Sequence, residues 1–250
     1  MKRNLTMIKQ LPFILPTLLL AASSVNAAIF EKNDWDVVPY VGVDAQARFM
    51  GLKKDFGGNL AAKTYPQGNV FVGLRFCDYW GVEAGYESTT KRNRTATILG
   101  NDNAFGEPVD PDLPNDINKF ETKTKIYGPN INIIGFYPIS KEYCVDLIGS
   151  VGLAYSKIKI ENVQTIGAGE ELSIQNSELF RKTFKKSKVI ARANLGIQKM
   201  INNQFGIRVM VGWENTSRLN NIKVVNFSSD LVAKARDSVN VGFGIFYSFN

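Results

Sequence analysis

The chain has 250 residues, 30 Lys and Arg against 23 Asp and Glu, 44% hydrophobic residues, two cysteines and no histidine. A net charge of +7 is mild for this length and does not call for nucleic acid as a partner. The missing histidine removes the side chain that most enzymes use to move a proton near neutral pH.

Residues 1–27 have the three parts of a secretory signal: Lys2, Arg3 and Lys9, then the apolar run from Leu11 to Ala22, then Val25-Asn26-Ala27 before Ala28. Pro12 and Pro16 interrupt the run, which is shorter than the ~20 residues a membrane-spanning helix needs. Cleavage is predicted after Ala27. It leaves residues 28–250 as one domain with a balance of +4, 27 basic less 23 acidic residues. No later stretch is apolar enough for a membrane helix, so an exported chain would stay soluble or cross a membrane with strands.

Eight segments then alternate with period two, the signature of strands with two unlike faces. They are 37–49, 69–76, 81–87, 127–137, 144–156, 188–198, 205–214 and 237–250. The last is typical: Val239, Val241, Phe243, Ile245, Tyr247 and Phe249 form the apolar row, Asn240, Gly242, Gly244 and Ser248 the polar one, and Phe246 breaks the rule. Short turns are expected near 77–80, 138–143 and 199–204, and four long loops at about 51–66, 88–125, 157–187 and 215–236. These lengths predict an all-β fold: an eight-stranded antiparallel up-and-down transmembrane β-barrel, with short turns in the periplasm and long loops outside.

A soluble barrel of lipocalin type would alternate too. Charge and glycine favour the membrane. Ten charged residues fall inside the strands, Asp44, Arg48, Arg75, Glu83, Glu87, Asp146, Lys188, Arg192, Arg208 and Glu214, all on the polar face, five of each sign. A narrow lumen needs small residues and paired charges, whereas a solvated outer face needs neither. The polar face is therefore placed inside as an ionic network. Val41, Leu74, Val151, Leu195, Val209 and Val241 are expected to meet lipid, and aromatics such as Tyr86, Tyr127, Tyr155, Phe205 and Trp213 to form interfacial girdles.

The chain end, Gly244-x-x-Tyr247-x-Phe249, resembles the carboxy-terminal β-signal of bacterial outer-membrane barrels, although Asn250 follows the final aromatic. Together with the signal, the eight strands and the four long loops, it resembles the OmpA-type eight-stranded barrel superfamily, including the small surface proteins related to OmpX, Ail and Opa. The resemblance implies an outer-membrane location, assembly by the barrel-assembly machinery through the last strand, and a surface or adhesin-like role. No soluble peptidoglycan-binding domain is expected after the last strand, so cell-wall anchoring is not expected.

Outer-membrane lipases, palmitoyltransferases and omptin-type proteases use histidine, so no catalytic residue, cofactor or enzymatic activity is expected. Cys77 and Cys144 both fall on the inward parity at the periplasmic ends of the second and fifth strands, where an oxidising compartment would permit a disulfide if those strands came close enough, against a plain reading as two small lumen residues. Asp102, Glu107, Asp110, Asp112 and Asp116 lack the spacing of a calcium loop, so no metal site is expected. Basic residues flank two loops: Lys91, Arg92, Arg94, Lys123 and Lys125 around the second, Arg181, Lys182, Lys185 and Lys186 around the third. They are candidates for lipopolysaccharide phosphates by charge-assisted contact, against a plain role as solubilising charge. The expected product is a monomeric surface barrel with a plugged lumen, whose loops meet lipopolysaccharide or host surface molecules. The alternatives are a narrow channel for ions or small solutes and, more distantly, a soluble lipocalin-like binder.

Overall fold

The computed structural model describes residues 37–53, 62–76, 79–99, 103–104, 107–108, 117–167, 178–219, 222–223 and 232–249. The expected signal segment 1–27 and Cys77 lie outside the described residues. Nine strands make the main sheet: β1 (Val38–Phe49), β2 (Thr64–Arg75), β3 (Trp80–Thr89), β4 (Arg92–Leu99), β5 (Ile117–Ser140), β6 (Val145–Gly167), β7 (Glu178–Met200), β8 (Phe205–Glu214) and β9 (Ser238–Ser248). Their order is β3-β2-β1-β9-β8-β7-β6-β5-β4, and a further β3–β5 pairing closes eight of them into a ring. Every pairing is antiparallel. The ring leaves no open edge, as hydrocarbon requires of a spanning sheet.

Alternation decides which residues face where. Asp44, Arg48, Glu83, Glu87, Arg192, Arg208 and Glu214 are buried in the interior, while Val43, Val70, Leu74, Ile131, Val151, Leu195, Val209 and Val241 are exposed on the outside. Val41 is half-buried on the same outer row. This is the reverse of a soluble barrel, because an outer surface covered in branched aliphatics has no favourable contact with water. Lipid is the solvent that fits it.

The structure departs from the expected loops at 88–125 and 157–187. Strands run deep into both, and β5, β6 and β7 reach 24, 23 and 23 residues. At ~3.3 Å per residue each is roughly 75 Å long, against an apolar band of ~25 Å. The upper parts of β5, β6 and β7, with β4 added against Ile117–Thr124, therefore stand beyond the ring as a projecting sheet. The strands continue without changing face, but the faces exchange chemistry. On β5 the inner row passes from Asn130 and Asn132 to Ile126 and Phe120, both buried; the outer row passes from Ile133 and Ile131 to Lys125, Lys123 and Lys119. A period-two pattern sought as lipid-facing apolar residues fades at that point, which is why it misses the projection.

The lipid face has a direct test. Lysine at Val209 or Leu195 should cost roughly 2–4 kcal/mol in urea unfolding from bilayers, whereas lysine at Thr183, on the projecting sheet, should cost under ~0.5 kcal/mol. Equal costs at the three positions would contradict the assignment of faces.

Candidate functional site

Inside the ring the side chains stack in tiers. Nearest the short turns, Tyr40, Phe71 and Phe246 pack together with Met200 beside them, and Ile134, Phe136 and Ile148 form a second apolar cluster with Met210. Tyr40 meets Phe71 and Phe246 edge to face at 6.2 and 6.0 Å, the arrangement ring quadrupoles prefer. Phe246, which breaks the alternation of its strand, is the inward aromatic of this tier. Its neighbours in register are Gly42 on β1 and Gly206 on β8, and a Cβ at either glycine would overlap the ring or its neighbour Phe71. Large and small residues thus alternate around the ring to fit its bore.

Above that tier sits Arg208, buried at 2% exposure. Its Nε and Nη2 donate to the two oxygens of Asp44 at 2.9 Å each, and its Nη1 donates to Glu83 Oε1 at 2.5 Å. The planar fork matches the carboxylate, the geometry in which such pairs are strongest. Its guanidinium also lies 3.8 Å above the Phe71 ring centre, a cation–π contact. The Tyr40 hydroxyl donates to Glu83 at 3.0 Å and the Asn69 amide to Asp44 at 2.9 Å. Glycine makes both reaches possible. Gly244 lies in register between Arg208 and Asp44, and Gly73 between Tyr40 and Glu83. A Cβ at Gly244 would strike Asp44, and one at Gly73 would strike Tyr40.

Towards the long loops comes a closed square of two arginines and two glutamates. Arg48 pairs with Glu87 and Glu214 at 2.7 Å each; Arg192 pairs with the same two glutamates at 3.0 and 2.8 Å. Each glutamate accepts from both cations, and Gln67 at 3.0 Å and Ser238 at 3.1 Å add neutral donors. All four charged side chains are at most 5% exposed, so water supplies little of their solvation.

Of the ten charged residues expected in the lumen, seven belong to these two clusters. Arg75 and Asp146 pair separately at 3.3 Å, at 25% and 15% exposure near the short-turn end; Arg75 also stacks 4.3 Å over Phe136. Lys188 is a correction: it is exposed and makes none of these pairs. It lies opposite Ser156, above the square. Cys144 is a second correction. It sits in the turn before β6 with φ +50°, exposed, its free thiol directed at the Lys141 carbonyl, and not on the lumen face. The terminal aromatics are on the outer face, Tyr247 edge to face with Phe205 and Phe249 at 5.0 Å each. Sequence reasoning passed over Gln67 and Ser238, which accompany the charges; their inward parity was the available signal.

Among the described residues no group of His, Cys, Asp and Glu could hold a metal ion. What the lumen can do chemically is cancel its own charge. Removing Arg208 should destabilise the barrel by roughly 3–5 kcal/mol, because Asp44 and Glu83 are left buried without a counterion. Arg75→Ala should cost under ~1 kcal/mol, its pair being partly solvated. Urea titrations of the refolded proteins compare the two, and similar losses would contradict the ranking.

The outer membrane protein beta-barrel domain model matches residues 17–244 of the chain. No curated protein matches it. Among solved structures, Neisserial surface protein A is 11% identical over 84% of this chain and 97% of its own, with a TM-score of 0.48. Ail, the attachment invasion locus protein of Yersinia pestis, is 16% identical over 85% and 99%, TM-score 0.42. The outer membrane protein OprG from Pseudomonas aeruginosa is 15% identical over 86% and 96%, TM-score 0.42. With the closed ring, the apolar outer face and a family model covering most of its length, the chain belongs to the outer membrane protein β-barrel domain family.

Proposed function

We propose that this protein is a non-enzymatic surface barrel whose lumen is closed by its ionic and aromatic tiers and whose projecting sheet is an adhesin-like contact area for lipopolysaccharide or host surface molecules. Export through cleavage after Ala27 and a mature domain of residues 28–250 belong to this reading. So do insertion as a monomer and assembly through a β-signal at Gly244, Tyr247 and Phe249. The short turns then lie in the periplasm and the projecting sheet outside.

One observation carries the closure: the square of Arg48, Glu87, Arg192 and Glu214 draws side chains from β1, β3, β7 and β8, so it spans the bore rather than lining one wall. An open pore would leave hydrated charges on separate walls. Here they are desolvated and shared, and the Tyr40, Phe71 and Phe246 tier lies beneath. The long protruding strands give the same chain a surface far larger than a membrane anchor needs.

Planar-bilayer recordings test the closure. The protein should show no large steady conductance at neutral pH, and Arg48→Ala should raise the frequency of openings. A large, steady conductance unchanged by Arg48→Ala or Arg208→Ala would replace the closed anchor with a channel.

A further inference from the structure

The nine basic residues that flank the second and third loops do not act together, because the strands sort them by face. In register Arg92 and Arg94 lie opposite Thr124 and Thr122, and Lys186 opposite Ile158; these partners are buried on the inner face. Lys123, Lys125, Arg181 and Lys185 share the outer face, the one that lower down meets lipid. The register adds Lys157 and Lys159, which loop composition did not single out.

The outer face of β5, β6 and β7 can be read upward row by row. Ile131, Leu153 and Ala191 stand opposite one another, then Tyr155 and Val189, then Tyr127, Lys157 and Ser187, then Lys125, Lys159 and Lys185. Rows are ~7 Å apart along the strand. The change from aliphatic through aromatic to cationic marks the membrane boundary. The three lysines of the last row are direct cross-strand neighbours, and like charges so placed repel. Lys91 and Lys123 lie just above. Against these six lysines the described residues of the same rows hold one carboxylate, Glu161, which takes Lys159 at 2.5 Å and Lys91 at 2.8 Å; the next, Glu121, stands one row higher and pairs with Lys119 at 3.7 Å. Hydrogen bonds from Lys159 and Lys91 hold its carboxyl down at about 2, so it stays ionised and still neutralises only one positive charge. Tyr127 fixes the lower edge: the ammonium groups of Lys125 and Lys157 each lie 5.7 Å from its ring centre, and the Tyr155 hydroxyl bonds Ser187 at 2.9 Å.

We propose that the lysine row Lys125, Lys159 and Lys185, with Lys157 beneath it, is a binding site for the phosphate groups of an outer-leaflet glycolipid. The inference rests on the surface-barrel reading and specifies its membrane partner. A lipid headgroup is the anion that belongs at this height: the row stands one step above the aromatic girdle on the lipid-facing side, so a phosphate reaches it while its acyl chains lie against Leu153 and Val189. Charge-assisted contact with several ammonium groups supplies the affinity, and the bound anion relieves the repulsion within the row.

The test uses the full refolded chain in zwitterionic micelles titrated with fluorescent diphosphoryl lipid A. Lys125→Gln/Lys159→Gln/Lys185→Gln should raise Kd by ~10-fold or more, with the loss growing as salt is lowered. The inner-parity variant Arg92→Gln/Arg94→Gln/Lys186→Gln, with the same loss of charge, should change it less than ~2-fold. For the parent, fully dephosphorylated lipid should bind at least ~10-fold more weakly than the diphosphoryl form, a comparison that needs no variant to fold. Equal effects of the two triple variants, or no preference for the phosphorylated lipid, would overturn the site. So would competition by millimolar inorganic phosphate, which would make it a site for free anions, or loss of binding confined to a soluble sulfated polysaccharide. Conductance of the parent does not depend on this row, so failure here leaves the closed lumen standing.

Discussion

The pairing of charges inside the bore is the constraint from which most of the structure follows. An arginine in a water-poor lumen is expensive unless carboxylates surround it, and a carboxylate likewise. Arg48 and Arg192 solve this with the same two glutamates, and Arg208 with Asp44 and Glu83. The partners come from strands far apart in sequence, Arg48 and Glu214 being separated by 166 positions. Only one register of the closed ring brings them together. A slip of one strand by one residue would turn that strand's charges into lipid, so the network favours the register as well as filling the bore. The glycines follow from the same need: Gly244 and Gly73 are bare because side chains from either side must meet across them.

The second organising feature is the change of solvent along β5, β6 and β7. A strand in a membrane barrel has an apolar outside and a polar inside; a strand above the membrane that covers an interior has the opposite. These three strands contain both patterns in sequence and never change face. The exchange falls between Ile131 and Lys125 on β5 and between Leu153 and Lys159 on β6, with Tyr127 and Tyr155 at the junction. The same residue parity thus serves as lipid contact below and as a cationic surface above. On the proposed reading, membrane anchoring and surface contact are two stretches of one continuous sheet, which would give the contact area a rigid support.

The ring was legible in the sequence because lipid enforces the simplest possible pattern: every second residue apolar, charges all on the other row. That held even for Phe246, whose departure from the rule shows up as an inward aromatic between two glycines. Strand ends were less legible. Above the membrane the outer row is lysine and the inner row isoleucine and threonine, so a search for outward apolar residues stops at the girdle, and residues 88–125 and 157–187 read as loops. Parity placed Lys188 and Cys144 inside, but parity fixes only direction. Lys188 stands above the square and is exposed, and Cys144 precedes the first residue of β6, in a turn with positive φ. The pairing of individual charges could not be read at all, since it depends on which strands face each other across the bore.

The proposed closed, self-neutralising lumen is tested most directly by a double-mutant cycle on Arg48 and Glu214. Each single replacement by leucine strands a buried partner and should be strongly destabilising, while the double replacement should recover part of the loss. Urea unfolding in bilayers should then give a coupling energy of roughly 1.5 kcal/mol or more, within the range of contacting residues in one network. Additive losses, agreeing within ~0.5 kcal/mol, would mean that the two side chains do not meet across the bore.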